Sequence, residues 1–144
     1  MANGLTSDES LQRYGLVPAD ESLPAIRAIL AREVELEWSG GEREDDLALL
    51  CCVQLFSRGL LDDVLRIWSA KSASMDLGCS IDVQLLCGAG LLATKHFLAS
   101  HHDAAAEDAL RYLQSCEAAG DFLDFSPQDH LERYRRYFRA GIDP

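Results

Sequence analysis

The ten residues Leu47–Phe56 read LALLCCVQLF, with Gln54 the one polar side chain among them. Wound as a helix, this run is apolar on every side, and such a helix must be wrapped by other elements. The longer segment Glu42–Trp68 that contains it therefore sets the architecture, because the rest of the chain has to cover it. With 144 residues and an apolar fraction of 48%, the chain has material for one domain that buries about two-thirds of its unfolded surface.

The flanking sequence supplies the cover as further helices. Residues 1–17 lack a sustained period and are expected to form a flexible N-terminal arm, with residues 18–144 a single helical domain. A first helix is expected near Ser22, with Pro24 in its first turn and apolar positions at Ile26, Ile29, Leu30, Val34 and Trp38. Gly40 and Gly41 stop it. A second helix is expected from Arg43 to Ser57, with Glu44, Asp45 and Asp46 favoured at its positive end. Gly59 turns the chain into a third, whose stripe Leu61, Val64, Leu65 and Trp68 is expected to face the second. Asp62 and Arg66 are spaced to pair on its exposed side.

Residues 72–80, SASMDLGCS, read as a loop. A fourth helix is expected over Ile81–Cys87, bent at Gly88 and Gly90 and continuing to Ala99. Asp103 caps a fifth, whose buried side is Ala106, Ala109, Leu110, Leu113 and Cys116, with Gly120 as its left-handed terminator. Ser126 and Pro127 start the last, with Leu131, Tyr134 and Phe138 inward and Gly141 at its end. No stretch alternates as a strand does. The fold class is thus all-α: about six helices in a bundle or a short array of helical hairpins.

The central segment LALLCCVQLFSRGLLDDVLRIW resembles a tetratricopeptide hairpin over residues 48–71. Ala48, Cys51, Cys52 and Leu55 stand at the first-helix packing positions and Gly59 at the turn. Val64 and Trp68 stand at the small and aromatic positions of the second helix. Val64 replaces the usual alanine, Lys71 stands where a small residue belongs, and Asp76 stands where the closing proline would be. One period on, the turn and aromatic positions are Ala93 and His102, so the unit has no second copy. The resemblance implies a protein-binding helical scaffold.

Charge narrows the partners. The formal net charge is -11, concentrated in residues 1–50 and 101–144. Nucleic acid and anionic membrane demand a basic surface; a protein with a basic or mixed surface is the better electrostatic match. The five cysteines, at 51, 52, 79, 87 and 116, sit in apolar or helical contexts with no secretory leader before them. They are expected to be reduced thiols in a cytoplasmic protein.

No motif commits the chain to catalysis, a cofactor or a metal. Gly88-Ala89-Gly90-Leu91-Leu92-Ala93 fits a dinucleotide fingerprint, but lacks the βαβ context that gives it meaning; close packing through small residues is the reading kept. The cysteines form no CxxC pair, and His96, His101 and His102 lack a thiolate or carboxylate partner. Cys79 with His96 or His130 is a conceivable nucleophile pair without a local signature. Asp76 and Asp82 read as turn residues. The arginines 133, 135, 136 and 139 crowd the end of the last helix, where the dipole favours cations.

The best candidate surface is the acidic stretch around Trp38: Glu35, Glu37, Trp38, Glu42, Glu44, Asp45 and Asp46. The expected function is a protein–protein interaction module of immunity or adaptor type. A helical enzyme or small-ligand binder with a pocket near Asp76–Cys87, and a homo-oligomeric structural protein, are the alternatives.

Overall fold

All ten residues of Leu47–Phe56 are buried in the computed structural model, which describes residues 5–44 and 46–142, with side chains up to Arg139. Among the described residues the chain forms α1 (Ser7–Tyr14), α2 (Leu23–Ser39), α3 (Leu47–Arg58), α4 (Val64–Lys71), α5 (Met75–Ser80), α6 (Leu91–Ala99), α7 (Ala104–Ala118) and α8 (Pro127–Ile142). Short 3-10 turns at Asp20–Ser22, Leu61–Asp63 and Val83–Cys87 complete it, and no strand is present among the described residues. The protein is 74% helical, an all-α bundle. No helix is long and apolar enough to cross a membrane among the described residues.

The axis of the bundle is α3. Its most extensive neighbour is α2, and α1, α5, α8 and the 3-10 turn at Val83–Cys87 pack on its other sides. On the α4 stripe Val64 is buried and, with Ile67, lines a narrow gap against Leu55 and Phe56 of α3, while Leu65 and Trp68 are half-buried. α4 also packs on α2, on α5 and on α7. The turn before it, Leu61–Asp63, is 3-10 rather than α. Asp63 is buried there (1% exposed). It accepts from Arg27 Nε at 2.8 Å and Nη2 at 3.0 Å, and from Arg66 Nη1 at 2.9 Å. The expected Asp62–Arg66 pair is replaced: Arg66 reaches the Asp62 carbonyl and the Asp63 carboxylate.

Four other expectations change. Inside the expected arm, Ser7–Tyr14 is a helix closed by a reciprocal cap, Thr6 Oγ1 taking Glu9 N–H at 3.1 Å while the Glu9 carboxylate takes Thr6 N–H at 2.9 Å. It is docked by Gln54, which donates to the Gly15 carbonyl at 2.9 Å from the middle of α3. The expected loop at 72–80 contains α5, capped by Ser74. Lys71 closes its far end: the buried ammonium donates to the carbonyls of Gly78, at 2.6 Å, and Ile81. Burial pulls this ammonium below the ordinary lysine pKa, against the opposing pull of Asp82. α3 begins at Leu47, not Arg43, and α8 runs through Gly141, so that glycine does not end it.

The dinucleotide fingerprint has no strand before it. Gly88 follows a 3-10 turn and lies against the end of α3. Gly90, at φ 99°, is the N-cap of α6.

Candidate functional site

The acidic stretch is largely engaged within the molecule. Arg43, on the link after α2, places its Nε 2.6 Å from Glu37. Bonds from Ser74 and Arg43 hold the Glu37 carboxyl below its ordinary pKa. Glu44 accepts from Ser7 N–H at 3.2 Å and from its hydroxyl at 3.1 Å. Asp46 accepts from the Tyr137 hydroxyl at 3.2 Å. Glu35 and Glu42 face water. Asp45 lies outside the described residues. The structure does not gather these groups into one open anionic face.

Behind them Glu33 is buried (4% exposed) with Oε1 3.7 Å from Arg43 Nη1, too far for a hydrogen bond, and neither atom has another partner. Burial raises the Glu33 carboxyl above its ordinary pKa; Arg43 opposes this only in part. The folded state therefore binds this proton more tightly than the unfolded chain does. The resulting destabilisation is full above the raised folded value and fades as pH falls toward the ordinary 4.5. Glu33→Gln is expected to raise stability near pH 7 by about 1 kcal/mol, with Arg43 still held by Glu37. Thermal melts should show this gain shrinking to nothing below about pH 4.5.

Trp38 stands apart. It is 65% exposed, on the last turn of α2, and it forms one wall of a groove of about 500 Å³ between α2 and α4. The buried Leu30 and Val34 make the floor, and half-buried Leu65 the opposite wall. Glu35 lies beside Trp38, and Arg27, Asp62 and Arg66 lie toward the other end. Asp63 holds both guanidiniums from below but offsets one of their two charges, so with Glu35 and Asp62 the groove is left with a net charge of -1.

A second cavity, of about 460 Å³, opens between α8 and the segment joining α5 to the following 3-10 turn. At its floor Asp82 meets His130 Nε2 at 2.5 Å through one oxygen and takes the Tyr134 hydroxyl through the other. Burial alone would raise the Asp82 carboxyl, but the bonds from His130 and Tyr134 outweigh it and leave it below its ordinary value. Burial and the Asp82 bond push the Tyr134 phenol well above its own. His130 is wedged between the Phe56, Phe125 and Tyr134 rings, each centred 5.5–5.7 Å away. Its position is therefore fixed by packing on three sides.

Sequence reasoning named Asp82 as a turn residue and His130 as a partner for Cys79, but did not join the two. They lie 48 residues apart, and no local spacing links them. Cys79 is exposed on α5, and the five cysteines are free thiols. Burial pushes Cys87 up to about 12 and Cys51 and Cys52 higher still, so these three are inert packing groups. No group of three or more histidine, cysteine or carboxylate side chains is arranged to hold a metal among the described residues. No protein-family model, curated protein or solved structure matches the chain.

Proposed function

We propose that this chain is a helical protein-interaction module whose docking face is the groove between α2 and α4. Its occupant is an α-helix with an apolar face and a basic flank. The observation that carries this reading is Trp38. A tryptophan held largely in water on the last turn of a helix, above an apolar floor, gains a large area of burial when a partner covers it; such anchors dominate interface energies. A groove between two helices suits the apolar face of a third, read as anchors at i, i+3, i+4 and i+7. The basic flank follows from charge. Glu35 and Asp62 border the groove, and the chain as a whole is at -11. That field steers cations in and repels nucleic acid and anionic lipid. Five unpaired thiols fit a reducing, cytoplasmic setting. An adaptor or immunity-type protein that masks a basic region of its target is the form this reading takes.

The test begins with capture of partners on the wild-type chain, followed by a scan of each partner as synthetic helical peptides. Affinity is read by calorimetry for every variant, and Trp38 fluorescence is followed in a Trp68→Phe background for those that keep Trp38. The expected result is a blue shift on binding, with affinity lowered at least about tenfold by Trp38→Ala and by Leu65→Glu. Affinity should also fall as salt rises, through Glu35 and Asp62. Peptides that bind both variants as tightly as the wild type would overturn the reading.

A further inference from the structure

The cleft floored by Asp82 lies on a different face from the groove and joins different elements. We propose that it binds a small zwitterion of the free amino-acid class, its carboxylate on the Arg133 guanidinium and its ammonium directed to Asp82 and Gln84. A cavity of about 460 Å³ falls within the ordinary range for small-molecule sites.

Its acceptors are fixed in advance. Each Asp82 oxygen spends one lone pair on His130 or Tyr134 and keeps another for a ligand. The Gln84 amide nitrogen donates to the Asp121 carbonyl at 2.8 Å, which leaves its side-chain oxygen as an acceptor. Because His130 is clamped by three aromatic rings, Asp82 cannot turn away, and a ligand's donor meets it without reorganisation cost.

Among the described residues Arg133 is the one arginine or lysine lining the cleft. It is exposed and makes no ion pair among the described residues, whereas Arg135 on the same helix is held by Glu132 at 3.0 Å. A guanidinium binds a carboxylate with two parallel bonds. Beyond Arg133 the cleft adjoins a smaller hollow, of about 90 Å³, lined by Asp121, Asp124 and Asp129. A purely anionic ligand meets those three carboxylates and Asp82 with a single cation to offset them. A purely cationic one wastes Arg133. A ligand carrying both charges satisfies both sides.

The test uses the full chain, calorimetry and amide NMR spectra. The probes are the twenty free amino acids, each paired with its N-acetyl and its carboxamide derivative. Saturable binding of at least one free amino acid is expected, with shifts at Ser80, Gln84 and Tyr137. Removing either charge from the ligand should weaken binding at least about tenfold, and so should Arg133→Gln. That residue is exposed, so an unchanged melting temperature confirms that the variant folds. Arg111→Gln, on α7, should bind like the wild type.

The proposal is overturned if no free amino acid shifts those signals at about 10 mM, weaker than any useful affinity. It is equally overturned if the carboxamides bind as tightly as the acids. Acetate or inorganic phosphate giving the same shifts would mean an adventitious ion only, and would also overturn it. None of these outcomes bears on the groove, whose peptide assay stands or falls separately.

Discussion

Alanine at Gly88 is expected to cost about 2–4 kcal/mol of folding stability, although its backbone is ordinary. At φ -61° any residue is comfortable there. The conflict is spatial: a Cβ would lie 2.4 Å from the Phe56 carbonyl oxygen and 3.1 Å from the Gly59 Cα. Both neighbours are backbone of the α3 C-terminus, which is held by the core and cannot rotate aside as a side chain would. Opposite, Gly59 combines φ 63° with a would-be Cβ 2.9 Å from the Gly88 carbonyl oxygen. The two glycines thus let two backbone segments cross in contact. Gly40 provides the comparison. It is left-handed at φ 74°, with nothing within 4 Å of an added Cβ, so Gly40→Ala should cost about 1 kcal/mol from conformation alone. Chemical denaturation of the two variants should rank Gly88→Ala as clearly the more damaging. Equal losses would mean that the crossing relaxes freely. Should Gly88→Ala fail to fold, while Gly40→Ala folds, the ranking stands.

Gly88 also shows what the sequence could and could not disclose. Its reading as a packing glycine is legible, because the strand and acidic residue of a dinucleotide site are missing around it. Its partner is not, since Phe56 lies 32 positions earlier and no periodicity joins them. The central helix was equally legible, because a run apolar on all sides has only one fate. The packing order was not: α4 also packs on α2, α5 and α7, and nothing in its own spacing names those partners. The helix at Ser7–Tyr14 carried a usable signal in Thr6 and Glu9, a capping box, but it lacks the apolar stripe by which helices are recognised. For the candidate sites, charge alone did not show which acids have partners within the fold. Acids in a row suggest an open face, yet Ser7, Arg43 and Tyr137 come from three separate places to engage them. Trp38 was visible as a residue, and its exposure depended on where α4 lay. Asp82 and His130 were each visible, and only the fold brings them together.

Arg27→Ala is expected to destabilise the protein by about 3 kcal/mol, and Asp63→Ala by about 2–3 kcal/mol, while the double variant should be no worse than Arg27→Ala alone. The asymmetry follows from where each charge sits. Asp63 is buried, and losing Arg27 takes two of its three charge-assisted bonds, leaving a carboxylate without water and with Arg66 alone. Removing Asp63 instead frees two guanidiniums that are 27% and 48% exposed, which water can re-solvate. Once Arg27 is gone, deleting Asp63 removes the uncompensated charge, so the second substitution costs little or restores some stability. Strictly additive losses in denaturant melts would show that the pair is not coupled. The same triad bears on the proposed function. Asp63 offsets one of the two positive charges of Arg27 and Arg66 at one end of the groove, so its loss leaves both guanidiniums without their carboxylate, facing an incoming basic helix. Asp63→Ala should therefore weaken such a helix even at temperatures where the variant is fully folded, and Asp63→Ala with Arg66→Ala should recover part of that affinity. A partner that binds Asp63→Ala as tightly as the wild type does not lie along this groove.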